Sequence, residues 1–71
     1  MKVIGTKNCS RCKITTSILD KNNIDYDYFL FDDMSSNEQE LYLNVAKESG
    51  LGNFPIIVND NEEAVELGDV L

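Results

Sequence analysis

The sequence predicts one α/β domain with the element order β-α-β-α-β-β, on three observations. A short apolar strand runs into a segment of helical periodicity and then into a second strand-like run, with short connections, which is a βαβ unit. Two cysteines, Cys9 and Cys12, stand at the first strand-to-helix junction. A single proline, Pro55, opens the β-branched run Ile56-Ile57-Val58, which leads into a hairpin turn.

Met1 to Thr6 contains Val3 and Ile4 and closes on Gly5-Thr6, suiting a short buried strand of a parallel pair. Asn8 or Cys9 then supplies a helix N-cap. From Cys12 to about Lys21, the residues Ile14, Ile18 and Leu19 form an apolar stripe to pack on the sheet. Asn22-Asn23 ends the helix, since asparagine tolerates the left-handed conformation. Ile24 to Asp32 reads as a second strand, with Tyr26, Tyr28 and Leu30 on one face and Phe29 and Phe31 on the other. Polar residues alternate early in it and apolar ones run together later, so its C-terminal end is expected to be the more deeply buried.

Asp33 to Asn37 is a polar loop into a second helix. Ser35-x-x-Glu38 and Ser36-x-x-Gln39 both fit a capping box, so two registers stay open for its start. Leu41, Val45 and Ala46 form its packed stripe and Gly50 its stop. After the third strand, Asn59-Asp60-Asn61 turns the chain into Ala64 to Leu67, and Gly68-Asp69-Val70-Leu71 begins a further helical turn.

Bulk properties bound the function. At 71 residues the chain is one domain, 1–71, with no repeat or linker, and 42 % hydrophobic residues with one proline mark it as globular. No leader pattern and no apolar run near the ~20 residues of a membrane span are present, so a cytoplasmic protein without a membrane partner is expected. Two cysteines are too few for a multi-bridge secreted scaffold, and with no histidine the chain lacks the four ligands of a structural zinc site, so no metal ligands are assigned. The net charge of −7 argues against nucleic acid and against anionic membrane surfaces as partners. Its distribution is uneven: residues 1–19 carry +4 (Lys2, Lys7, Arg11, Lys13) and residues 20–71 carry −11. The cysteines therefore sit in a basic segment on an acidic body.

Cys-x-x-Cys at the start of a helix suits dithiol–disulfide chemistry. The i, i+3 spacing puts both side chains on one helix face, within bonding reach. The unpaired N–H groups of the first turn and the positive end of the helix dipole favour a thiolate, the form that attacks disulfides. Arg11 and Lys13 add positive charge beside it.

The β-α-β-α-β-β order, the Cys-x-x-Cys at the first strand–helix junction and Pro55 just before the third strand together resemble the glutaredoxin branch of the thioredoxin-like fold, over essentially the whole chain. The resemblance implies a four-stranded mixed sheet with the C-terminal helix absent or vestigial. It implies Cys9 as the exposed nucleophile, Cys12 as the resolving thiol and a cis peptide bond before Pro55, which would turn the Phe54 backbone toward Cys9 to pair with a bound peptide thiol. Lys7, Arg11, Phe54, Pro55 and Asp69 are then the co-substrate-binding positions, with glutathione as a co-substrate and no tightly bound cofactor. Ser10-Arg11 between the cysteines, Lys7 one residue closer to the motif, Asn53-Phe54 before the proline and a lone Gly68-Asp69 depart from the glutaredoxin pattern at the positions that bind glutathione. Small redoxins recycled by thioredoxin reductase and serving ribonucleotide reductase share that departure.

The expected activity is thus a monomeric thiol–disulfide oxidoreductase acting on protein or small-molecule disulfides, with glutathione or thioredoxin reductase as donor. An electron donor to ribonucleotide reductase is the alternative. A dimeric scaffold in which two copies share one zinc through four cysteines is the non-enzymatic alternative.

Overall fold

A computed structural model of the chain describes residues 1–71. The elements run β1 (Lys2–Gly5), α1 (Ser10–Lys21), β2 (Asp27–Leu30), a 3₁₀ turn (Phe31–Asp33), α2 (Ser36–Glu48), β3 (Ile56–Val58), β4 (Ala64–Val65) and α3 (Leu67–Val70). The four strands form one mixed sheet in the order β2-β1-β3-β4. β1 is parallel to β2 and antiparallel to β3, and β3 is antiparallel to β4. No helix is long and apolar enough to cross a membrane.

The period-2 alternation of β1 assigns its two faces to different helices. Ile4 joins Tyr42 and Ala46 of α2 with Ile56 and Val58 in one cluster. Val3 joins Leu19 of α1 with Ile57 in the other, against which Leu67 and Val70 of α3 also pack. The sheet thus lies between α2 on one side and α1 with α3 on the other. Each fully buried aliphatic side chain in such a cluster is worth roughly 1.5–3 kcal/mol, so Leu19 and Val3 hold α1, and with it the Cys-x-x-Cys turn, against the sheet.

The helix ends follow local chemistry. Ser35 caps α2, accepting the Glu38 N–H at 3.3 Å while Glu38 reaches back to the Ser35 N–H, so the first of the two capping registers is the one formed. Asn22 caps the C-terminus of α1, and Asn23 follows in the left-handed region at φ 57°. Gly50 takes φ 71° after α2, a conformation that costs a glycine nothing.

Four expectations are corrected. The buried residues of α1 are Cys12, Thr15 and Leu19, whereas Ile14 is 60 % exposed: the face that meets the sheet is one residue round from the apolar stripe. In α2 the buried pair is Tyr42 and Ala46, and Leu41 is 53 % exposed. Tyr42 is tolerated inside because its hydroxyl accepts a hydrogen bond from Lys2 Nζ at 3.2 Å. β2 spans only Asp27–Leu30, Phe31 having passed into the 3₁₀ turn, and as an edge strand it leaves Tyr28 and Phe29 about two-fifths exposed. The hairpin strand β4 stops at Val65, and Leu67 belongs to α3.

Candidate redox site

β1 ends at Gly5, and three residues later Asn8 adopts φ 59°, a left-handed turn that asparagine accepts readily. That turn delivers Cys9 to the N-cap of α1 in an extended conformation, φ −99° and ψ 104°. Its carbonyl accepts the Lys13 N–H at 3.3 Å, the first hydrogen bond of the helix. Its Sγ accepts the Cys12 N–H at 3.1 Å, so a sulfur occupies the place usually held by a serine or aspartate oxygen.

Cys9 and Cys12 are joined as a disulfide, their Cα atoms 5.2 Å apart. The two sulfurs have different surroundings. Cys9 is partly exposed at the helix tip, while Cys12 is 2 % exposed beneath it. An exposed sulfur at a helix N-terminus and a buried one a turn further in is the asymmetry an attacking and a resolving thiol require. Lys7, Arg11 and Lys13 are all exposed around this tip. No acidic residue lies in the first turn of α1.

The Phe54–Pro55 peptide bond is cis. Pro55 lines a cleft of about 390 Å³ whose other walls include Arg11 and Thr15 of α1, Asn53, Glu66 and Leu67. Arg11, one of the two residues between the cysteines, therefore shares this cleft with Pro55. The Phe54 side chain turns the other way, its ring in an edge-on contact with Phe31 at 5.1 Å between centroids, where both pack on the α2 cluster. Asp69 lies at the start of α3, where its Oδ2 accepts the Glu66 N–H at 3.1 Å in a reciprocal capping box. Arg11 and Pro55 are thus brought to one cleft, Lys7 stands in the exposed loop before Cys9, Phe54 contributes its side chain to the core, and Asp69 caps its own helix.

Two residues near the disulfide escape a reading of the sequence. An added Cβ at Gly5 would stand 3.0 Å from Cys12 Sγ and would overlap the Tyr28 hydroxyl, so this glycine is where β1, the buried sulfur and the tyrosine meet. Tyr28 also lines a second cavity, of about 320 Å³, together with Cys12, Lys13, Thr16 and Tyr26. The signal available in the sequence is the glycine itself, placed on a strand just ahead of the motif, since a strand glycine often marks a close approach. No group of three or more His, Cys, Asp or Glu side chains is arranged to hold a metal ion.

Neither a family model, nor a curated protein, nor a solved structure matches the chain. What stands on the geometry is a small α/β protein with a mixed four-stranded sheet and a Cys-x-x-Cys disulfide at its first strand–helix junction, compatible with a thioredoxin-like fold.

Proposed function

We propose that the chain is a glutaredoxin-like thiol–disulfide oxidoreductase of the thioredoxin-like fold. The observation that supports this most directly is the asymmetric disulfide: Cys9 partly exposed and capped by a backbone N–H, Cys12 buried one turn in. In the reduced protein the Cys9 thiolate attacks one sulfur of a substrate disulfide. A mixed disulfide forms, and the other substrate sulfur leaves as a thiolate that takes a proton from water. The Cys12 thiolate then attacks Cys9 Sγ, the Cys9–Cys12 bond forms, and the second substrate thiol is released. Two electrons have passed from the protein dithiol to the substrate.

The cleft between Arg11 and Pro55 is where an extended substrate would lie, with Arg11 offering a cation to an anionic thiol or acidic peptide. Asp69 Oδ2 accepts the Glu66 N–H and the carboxylate keeps further acceptor sites, so the preference for recycling by thioredoxin reductase rests on the departures from the glutathione-binding pattern at Ser10-Arg11 and Asn53-Phe54. The test follows NADPH oxidation with a small disulfide substrate, once with glutathione and its reductase and once with thioredoxin reductase. Turnover that is faster with thioredoxin reductase and vanishes in Cys9→Ser is expected. No turnover with either system overturns the redox reading.

A further inference from the structure

We infer that Tyr28 is a positioning residue for the resolving sulfur: its hydroxyl donates a hydrogen bond to the Cys12 thiolate once Cys9 is held in the mixed disulfide. This rests on the oxidoreductase reading above. The hydroxyl lies against the same point over Gly5 as Cys12 Sγ, a point an ideal Cβ would reach at 3.0 Å from the sulfur. The register explains how it gets there. Tyr28 pairs with Val3 across the parallel β1–β2 ladder, so it projects on the α1 face of the sheet, and the missing side chain at Gly5 lets its ring lean toward the buried sulfur.

The other groups around Cys12 are already engaged or face outward. The Thr16 hydroxyl donates to the carbonyls of Cys12 and Lys13, at 3.0 and 3.1 Å. The Tyr26 hydroxyl donates to Asp20 Oδ1 at 3.0 Å. Lys13 is exposed at the rim of the cavity, and the Cys12 N–H is held by Cys9 Sγ. Of the residues lining the cavity with Cys12, Tyr28 is the one whose side-chain donor is neither engaged nor turned to solvent at an exposed amine. A thiolate buried at 2 % exposure is disfavoured by desolvation unless a donor meets it, and a phenol O–H is such a donor. In the resolving step the pair is then used as follows: Cys12 sulfur, held as thiolate by Tyr28, bonds to Cys9 Sγ as the Cys9–substrate bond breaks, and the substrate thiolate takes a proton from water.

The test isolates Cys12 in a Cys9→Ser chain and follows its Cβ NMR shift through a pH titration, with and without Tyr28→Phe. Tyr28→Phe keeps the ring and is expected to raise the Cys12 titration midpoint by about one pH unit. Phe29→Leu, on the opposite face of β2, is expected to leave it in place. An unchanged midpoint in Tyr28→Phe overturns the role assigned to Tyr28. The readout needs no substrate, so a chain that reduces no disulfide but shows the shift overturns the redox reading and leaves the Tyr28 contact standing.

Discussion

The Cys12 N–H points at Cys9 Sγ from 3.1 Å, which makes one residue both the helix cap and the exposed member of the cysteine pair. A neutral thiol is a weak acceptor, whereas a thiolate accepts strongly from an N–H and sits at the positive end of the α1 dipole. Folding α1 therefore favours ionised Cys9 in the reduced protein, and Lys7, Arg11 and Lys13 act in the same direction. The rate of Cys9 alkylation in a Cys12→Ser chain is expected to rise with a midpoint below the ~8.5 of a free thiol. A midpoint at or above that reference would remove the electrostatic basis of the site.

In the proposed reaction, exposure assigns the order of the two thiols. With Cys9 partly exposed and Cys12 at 2 %, an incoming disulfide meets Cys9 alone. Cys12→Ser is expected to accumulate a mixed disulfide on Cys9 that persists until an external thiol is added, visible as the added mass of the substrate half. Cys9→Ser should form none. Turnover of Cys12→Ser at the full wild-type rate would confine the chemistry to one thiol.

Much of this arrangement is legible in the sequence because it is local. The start of α2 is encoded within four residues by Ser35 and Glu38, the end of α1 by Asn22 and Asn23, and β3 by Pro55 and the β-branched run after it. What is not legible depends on neighbours far along the chain. Leu41 outranks Tyr42 on any apolar scale, yet Tyr42 goes inside because Lys2, forty positions earlier, meets its hydroxyl. Ile14 outranks Thr15, yet Thr15 faces the sheet, because the rotation of α1 is fixed by Leu19 and Cys12. The aromatic run of β2 reads as a strand more deeply buried toward its C-terminal end, and burial does rise from Asp27 to Leu30, but how much of it is covered is a property of the whole sheet, in which β2 is an edge. At the site, spacing exposes the cysteine pair, while the approach of Tyr28 to Cys12 over Gly5 requires the β1–β2 register.

Gly5 offers a direct probe of that approach. In Gly5→Ala the new methyl overlaps the Tyr28 hydroxyl and presses on Cys12 Sγ at 3.0 Å. Overpacking of this kind costs typically ~1–3 kcal/mol. Tyr28 is 42 % exposed and free to swing outward, which places the cost near the lower end. Urea unfolding should show a loss of about 1 kcal/mol, reduced in a Tyr28→Ala background where the clash with the ring is gone. Equal losses in the two backgrounds would mean that the ring is not what the methyl meets.

One small pH-dependent contribution to stability lies at the opposite end of the sheet. Asp60, in the β3–β4 turn, accepts a hydrogen bond from the Met1 ammonium at 2.8 Å, and that bond, with the ammonium charge behind it, holds its carboxyl below the ordinary value of 3.8. A carboxylate whose folded pKa is lowered binds fewer protons folded than unfolded, so its contribution is complete above the unfolded value and is lost as pH falls through the folded one. Asp60→Asn is therefore expected to lower the urea midpoint slightly at neutral pH and to make no difference once both states are protonated, well below pH 3.8. The gap between wild type and variant should close within that acid window. The pair is exposed, so raising the salt concentration at neutral pH should also narrow the gap. A difference that survives both acid and salt would have to arise from the turn itself, where Asn59 Oδ1 accepts the N–H groups of Asn61 and Glu63, and not from the charge on Asp60.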